Sequence, residues 1–302
     1  MHYLIDPLRD YGFMRHGVIA GVMAGALCGL VGVYVVLRRM SYIGHGLSHA
    51  ILGGAVVAYV TGQDFYLWAG AWGFASAMLI NMLSRRRKIG ADAAIGIVTT
   101  ASYAVGIALI SRGHHFTRNF EAAFFGNILG VSAADIWVLV GVSAAVAVVL
   151  FFLYKQLLFV TFDPDVAGAF GVRTGFVDVV FSLVLAAAII ATMRILGVTL
   201  IAAAVVTPAV VARLSTDSFG RMLGLSVAVG GLSGFGGMYV SYYGDIASGA
   251  TITLFGATVF AVVYGAGLIR SRSRRQGTPR TDVSESASEE FSGRTLEGVE
   301  VH

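Results

Sequence analysis

Residues 40–54 read Met-Ser-Tyr-Ile-Gly-His-Gly-Leu-Ser-His-Ala-Ile-Leu-Gly-Gly, which sets His45 and His49 four residues apart. In a helix that spacing puts both imidazoles on one face, where they can chelate a single cation. Imidazole suits zinc, iron and other transition ions, and manganese less strongly. Gly44, Gly46, Gly53 and Gly54 allow the backbone either to bend or to approach a neighbour closely, as in the broken helices that line transport paths. The plainer alternative is a pair of histidines bonded to backbone carbonyls inside a helix bundle.

Glu121 is the second candidate. It is the only glutamate in the first 284 residues and sits in Phe120-Glu121-Ala122-Ala123-Phe124-Phe125-Gly126-Asn127. A carboxylate in so apolar a stretch is neutralised by protonation, by a basic partner or by a cation. Arg118 is close enough in sequence to be that partner. His114 and His115 stand at a loop edge, where solvation is the ordinary expectation and help with cation entry the alternative. Asp178 and Arg194 fall near the two ends of one apolar segment and are expected to face interfacial water. Pro208 is the only proline inside an apolar segment. It removes a helix hydrogen bond and should kink the chain, a candidate gate.

The elements that position these groups follow from composition. Hydrophobic residues make up 57% of the 302 residues and charged residues 13%, with a mean hydropathy of +0.79. A soluble domain is about 25% charged, so this chain cannot cover a globular surface with ionic groups. Of its 38 Asp, Glu, Lys and Arg residues, 12 fall in the last 33 positions. The body is therefore a polytopic membrane protein, and soluble enzymes, nucleic-acid modules and disulfide scaffolds are excluded. Cys28 is the only cysteine, so no disulfide forms within the chain.

A span needs roughly 20 mostly apolar residues. Nine segments qualify: 17–37, 41–62, 65–83, 93–111, 134–154, 174–193, 195–213, 221–243 and 247–269, with the first and seventh allowed to be shorter. The expected fold is all-α, with about nine transmembrane helices and a range of eight to ten. Continuous apolar runs exclude a β-barrel. The first segment ends in Arg38-Arg39 rather than a small-residue cleavage site, unlike a signal peptide. Alternating the spans puts 14 Lys/Arg residues on one side, against Arg9, Arg15, Arg112, Arg118 and Arg194 on the other. The richer side is expected to be cytoplasmic, leaving the amino terminus outside. The domain plan is an N-terminal segment 1–16, a transmembrane body 17–269 and a disordered cytoplasmic tail 270–302. Beyond about residue 276, Ser, Glu, Gly and Thr dominate and little can be buried.

One segment on the basic side carries its own stop and start signals. In Phe162 to Val172, Asp163 can serve as N-cap, Pro164 as the first helical residue and Gly171 as the stop. A helix of about two turns is marginal in water. It must dock on something, either a partner or its own bundle.

These segments together resemble a known family. Val36-Leu37-Arg38-Arg39-Met40-Ser41 runs into Leu47-Ser48-His49-Ala50, followed by Asp92-Ala93-Ala94-Ile95-Gly96-Ile97-Val98 and Phe125-Gly126-Asn127-Ile128-Leu129. The Phe162 to Val172 segment comes next, then Gly197-Val198-Thr199-Leu200 with Thr207-Pro208-Ala209, and Tyr239-Val240-Ser241-Tyr242-Tyr243 with Ser248-Gly249. In that order, over about residues 13–269, the chain resembles the membrane permeases of ATP-binding-cassette (ABC) uptake systems for manganese, zinc and iron.

The resemblance implies a homodimeric helical permease in the bacterial cytoplasmic membrane. Two cytoplasmic ATPase subunits and an extracytoplasmic metal-binding protein would complete it. It also implies that Phe162, Asp163, Pro164, Asp165, Val166, Ala167, Gly168, Ala169, Phe170 and Gly171 form the coupling helix that docks on the ATPase. His49 and Glu121 match the family's intramembrane metal site. His45 departs from it, since relatives commonly carry Asp there, and Gly53 stands where many carry Pro. A nitrogen in place of an oxygen favours a more azophilic ion than manganese.

The chain lacks the Gly-x-x-x-x-Gly-Lys-Ser/Thr loop that cradles phosphates. ATP is therefore expected on a partner subunit, with no cofactor on this chain and no enzymatic activity of its own. The permease is expected to contact membrane lipid and no nucleic acid. Two other readings compete with metal import: a proton- or sodium-driven secondary metal transporter, and an ABC permease for a siderophore or vitamin. A membrane hydrolase using Ser48 beside His49 is a distant third class.

Overall fold

The computed structural model describes residues 11–84, 89–113, 124–126 and 130–276, and among them it is all helical. In chain order the helices are α1 Gly12–Leu37, α2 Ser41–Thr61, α3 Phe65–Ser84, α4 Ala91–Gly113, α5 Ala133–Phe152, α6 Tyr154–Phe162, α7 Pro164–Ala169, α8 Thr174–Leu196, α9 Ile201–Ser215, α10 Phe219–Gly244 and α11 Ser248–Gln276. Eight of these are long and apolar enough to cross a membrane, and α9 is a shorter apolar helix. The fifteen residues of α9 reach only about 22 Å, short of a hydrocarbon core of roughly 30 Å. All nine expected segments are helices, and the seventh is the short one. The Arg85–Lys88 run and the tail beyond Gln276 lie outside the described residues. The chain divides into two units, Met1–Val263 and Tyr264–His302.

Hydrophobicity alone cannot sort helices in lipid, so close backbone approach at small residues does that work. Gly21, Gly25 and Gly29 of α1, at four-residue spacing, face Gly234, Gly230 and Ser226 of α10 in antiparallel register. A Cβ at Gly25 would collide with the Gly230 carbonyl oxygen, and a Cβ at Gly230 would collide with that of Gly25. Ser226 Oγ donates to the Gly29 carbonyl at 2.7 Å, which fixes the register.

The same device orders α2 between its neighbours. Gly46 packs on Ile95 and Thr99, while Gly53 packs on the Ser102 carbonyl, so α2 and α4 run parallel. Gly54 meets Trp68 and Trp72 of α3, and Gly73 of α3 meets Ile51. α3 therefore runs against α2, as alternating crossings require. α1, α2 and α8 form the buried centre, whereas α5 and α11 turn most of their surface outward. Trp137 (74% exposed) and Phe151 (78%) show that outward face of α5 to be apolar, as lipid demands.

Candidate metal site and coupling surface

α2 is an unbroken helix from Ser41 to Thr61, with Gly62 in the left-handed conformation (φ 66°) at its end. Gly46, Gly53 and Gly54 serve close approach rather than a break, whereas a Cβ at Gly44 would meet nothing within 4 Å. His45 and His49 accordingly share a face, with ring centroids 4.6 Å apart and planes at 72°. The edge of Tyr103 on α4 closes one side of His49, at 5.8 Å between centroids. Thr99 Oγ1 donates to the Gly46 carbonyl at 3.0 Å, locking α4 against the helix between the two histidines. His49 lies eight residues into the helix, on the order of 12 Å along its axis. His45 is exposed and His49 half-buried, so the pair opens off the surface of this chain. Among the described residues no three His, Cys, Asp or Glu side chains gather as a metal cage. Glu121, His114, His115 and Arg118 lie outside the described residues.

The segment just after Glu121 is described, and it explains three of the sequence motifs at once. Gly126 (φ 77°) packs on the Ile195 carbonyl, Gly197 (φ 80°) on the Phe124 carbonyl, and Gly249 on the carbonyls of Leu196 and Phe125. Thr199 Oγ1 donates to the Phe124 carbonyl at 2.8 Å. Phe125-Gly126, Gly197-Val198-Thr199 and Ser248-Gly249 thus meet at one backbone crossing. Gly126 and Gly197 need both the missing Cβ and the positive φ. The crossing anchors the chain five residues after Glu121.

Two ion pairs hold the ends of α8. At its start, Arg38 Nη1 donates to Asp178 Oδ1 at 3.0 Å, with Arg38 only 8% exposed. At its end, Arg194 Nη1 pairs with Asp135 Oδ1, and Asp135 is 4% exposed. Tyr66 OH also donates to Asp135 Oδ1 (2.7 Å), while Ser132 donates to Oδ2 from its backbone (2.9 Å) and its hydroxyl (2.7 Å). Asp178 (38% exposed) and Arg194 (44%), expected to face interfacial water, keep that exposure and in addition cross-link helices. Each pairs with a buried opposite charge, Arg38 or Asp135, that cannot itself reach water. Asp135 is the functional-looking residue that sequence reasoning missed. Its readable signal was Ser132 three residues before an apolar run, a capping box that the structure contains.

The short helix forms as its sequence dictates. Asp163 accepts the Val166 N–H at 3.0 Å, Pro164 opens α7, and Gly171 turns the chain at φ 83°. Ala167 is fully buried, while Phe162 (65% exposed), Val166 (41%) and Phe170 (77%) stand out from the same end of the molecule. The helix thus packs on its own bundle through one alanine and leaves its large apolar side chains uncovered. α6, a separate helix set off from α5 at Leu153, leads into it. Pro208 sits inside α9, whose helix continues through it, beside a small crevice lined in part by Gly25, Thr207, Ser233 and Thr253.

A bundle of eight long apolar helices and one short one, with an intramembrane histidine pair and an uncovered surface helix, defines a polytopic membrane permease. Residues 10–266 match the model of the ABC 3 transport family, and the chain belongs to that family. It is 34% identical over 262 residues to "Manganese transport system membrane protein MntC" of Halalkalibacterium halodurans, covering 87% of this chain and 90% of that protein. It is 30% identical to "Probable iron transport system membrane protein" of Haemophilus influenzae, over 89% of this chain and 99% of the relative. Among solved structures it resembles "PsaBC from Streptococcus pneumoniae in complex with Fab", with a TM-score of 0.79 and 31% identity over 86% of this chain and 94% of that one.

Proposed function

We propose that this chain is the permease subunit of an ABC importer that carries a divalent transition metal into the cytoplasm of a bacterium. A second copy, two cytoplasmic ATPase subunits and an extracytoplasmic metal-binding protein would complete the machine. The observation that carries the reading is the His45–His49 pair, edge to face on one side of a membrane helix. An ion shedding water inside a bilayer needs replacement ligands, because a bare charge in low dielectric is prohibitively costly. His45 and His49 offer neutral nitrogens and Glu121 an anionic oxygen. Two ligands from one helix leave positions for water, which suits a site that must release what it binds.

The exposed His45 and the half-buried His49 beside it support a path along this face of α2 rather than through the body of one chain. The uncovered Phe162, Val166 and Phe170 support α7 as the ATPase contact. Relatives carry manganese and iron in their names, and both ions accept imidazole with carboxylate.

The test is reconstitution in liposomes with manganese as cargo. The permease with its ATPase and a loaded binding protein should take up metal only when ATP is hydrolysed. Uptake by the permease alone, driven by a proton gradient, would make it a secondary transporter instead.

A further inference from the structure

Arg38 stands where three helices meet. α1 ends in a tight turn in which Met40 N–H donates to the Val35 carbonyl at 2.9 Å, with Arg39 left-handed at φ 56°. A non-glycine residue seldom adopts that conformation, and the fold bears the strain to keep the turn in place. From this turn the Arg38 side chain runs inward. Its Nε donates to Thr161 Oγ1 on α6 at 3.1 Å, and its Nη1 to Asp178 Oδ1 on α8 at 3.0 Å. The guanidinium carbon lies 4.7 Å from the centroid of the Phe181 ring, also on α8. The remaining nitrogen, Nη2, is buried and makes no hydrogen bond.

Thr161 is the penultimate residue of α6, and Asp163, two residues on, is the N-cap of α7. A displacement of α7 therefore reaches the Arg38 contact within less than a turn of helix. A buried guanidinium cannot be left unpaired. When α6 moves, Arg38 must follow it or exchange one acceptor for another, and Nη2 is the donor free to make that exchange.

We infer that Arg38 is a positioning residue for the transport stroke: through Thr161 and Asp178 it carries movement of the α6–α7 unit into α8 and α1. The inference rests on the reading of α7 as the ATPase contact. Arginine is required because its planar fork holds acceptors on two helices at once, whereas lysine keeps the charge and reaches only one.

The experiment uses the assembled complex in liposomes, with ATPase, loaded binding protein and manganese. Thr161→Val removes one acceptor at nearly constant shape and leaves the Arg38–Asp178 pair; Arg38→Lys keeps the charge. Both variants should capture the ATPase and hydrolyse ATP with unchanged KM. Manganese moved per ATP should fall roughly tenfold, the scale of one hydrogen bond to a charged group. Thr161→Ser, which keeps the hydroxyl, should restore it. Wild-type manganese per ATP in both variants would overturn the inference. So would loss of ATPase capture in step with transport, since Arg38 would then only build the docking surface. If the unmutated complex fails to capture ATPase, the reading of α7 itself has failed, and the inference falls with it.

Discussion

His45 and His49 lie edge to face on α2, 4.6 Å between ring centroids, inside a helix that crosses the membrane. Neither ring is buried, and the rotation of α2 is held by the close contacts of Gly46, Gly53 and Gly54 with α3 and α4. Rotating α2 would drive its glycine backbone out of contact with α3 or α4, so the two histidines keep their shared face.

Position 45 is expected to set metal preference. His45→Asp replaces a nitrogen ligand by an oxygen and should preserve uptake while shifting selectivity toward manganese over zinc. Competition between the two ions in an uptake assay checks this. An unchanged preference would remove His45 from the ion's ligands.

Charging the surface of α7 should separate docking from insertion. Val166 and Phe170 are exposed and the helix is anchored by Ala167, so Val166→Asp with Phe170→Asp leaves the permease fold intact. The double variant should insert normally and fail to copurify the ATPase. Normal capture would place the contact elsewhere.

The Asp135–Arg194 pair should be asymmetric in stability. Arg194→Ala takes the counter-charge from a carboxylate that is 4% exposed and leaves it only its Tyr66 and Ser132 bonds, at a cost of about 3 kcal/mol. Asp135→Ala strands a guanidinium that is 44% exposed and can turn to water, at about 1–3 kcal/mol. Thermal unfolding of the two variants in detergent compares them directly. Equal losses would contradict the burial argument.

Backbone contact between α1 and α10 should tolerate no added volume. Gly25→Val forces the helices apart at Gly230 and should abolish accumulation in the membrane. Gly224→Ala, in the same α10 but with nothing within 4 Å of its Cβ, should be silent or mildly stabilising. Measuring both by membrane yield distinguishes a packing effect from a general dislike of substitution.

Much of this was legible in the sequence because the bilayer simplifies the code. Apolar runs became helices, and the Asp163, Pro164 and Gly171 signals produced α7 with the caps they promise. What stayed hidden depended on distant partners. Asp135 sits in an apolar helix, and its meaning comes from Arg194, 59 residues away, and Tyr66, 69 away. Gly126, Gly197 and Gly249 looked like separate motifs until the fold brought them to one crossing. α6 is distinguished from α5 only by the turn at Leu153, which no glycine or proline announces.

Metal is proposed to cross the membrane beside His49 and Glu121. The most direct measurement is metal uptake in cells lacking their own permease, with ATPase and binding protein coexpressed. His49→Ala and Glu121→Ala should each reduce uptake to background, while Glu121→Asp, which keeps the carboxylate, should retain part of it. If both alanine variants transport at wild-type rates, the ion travels another way and the site is not here.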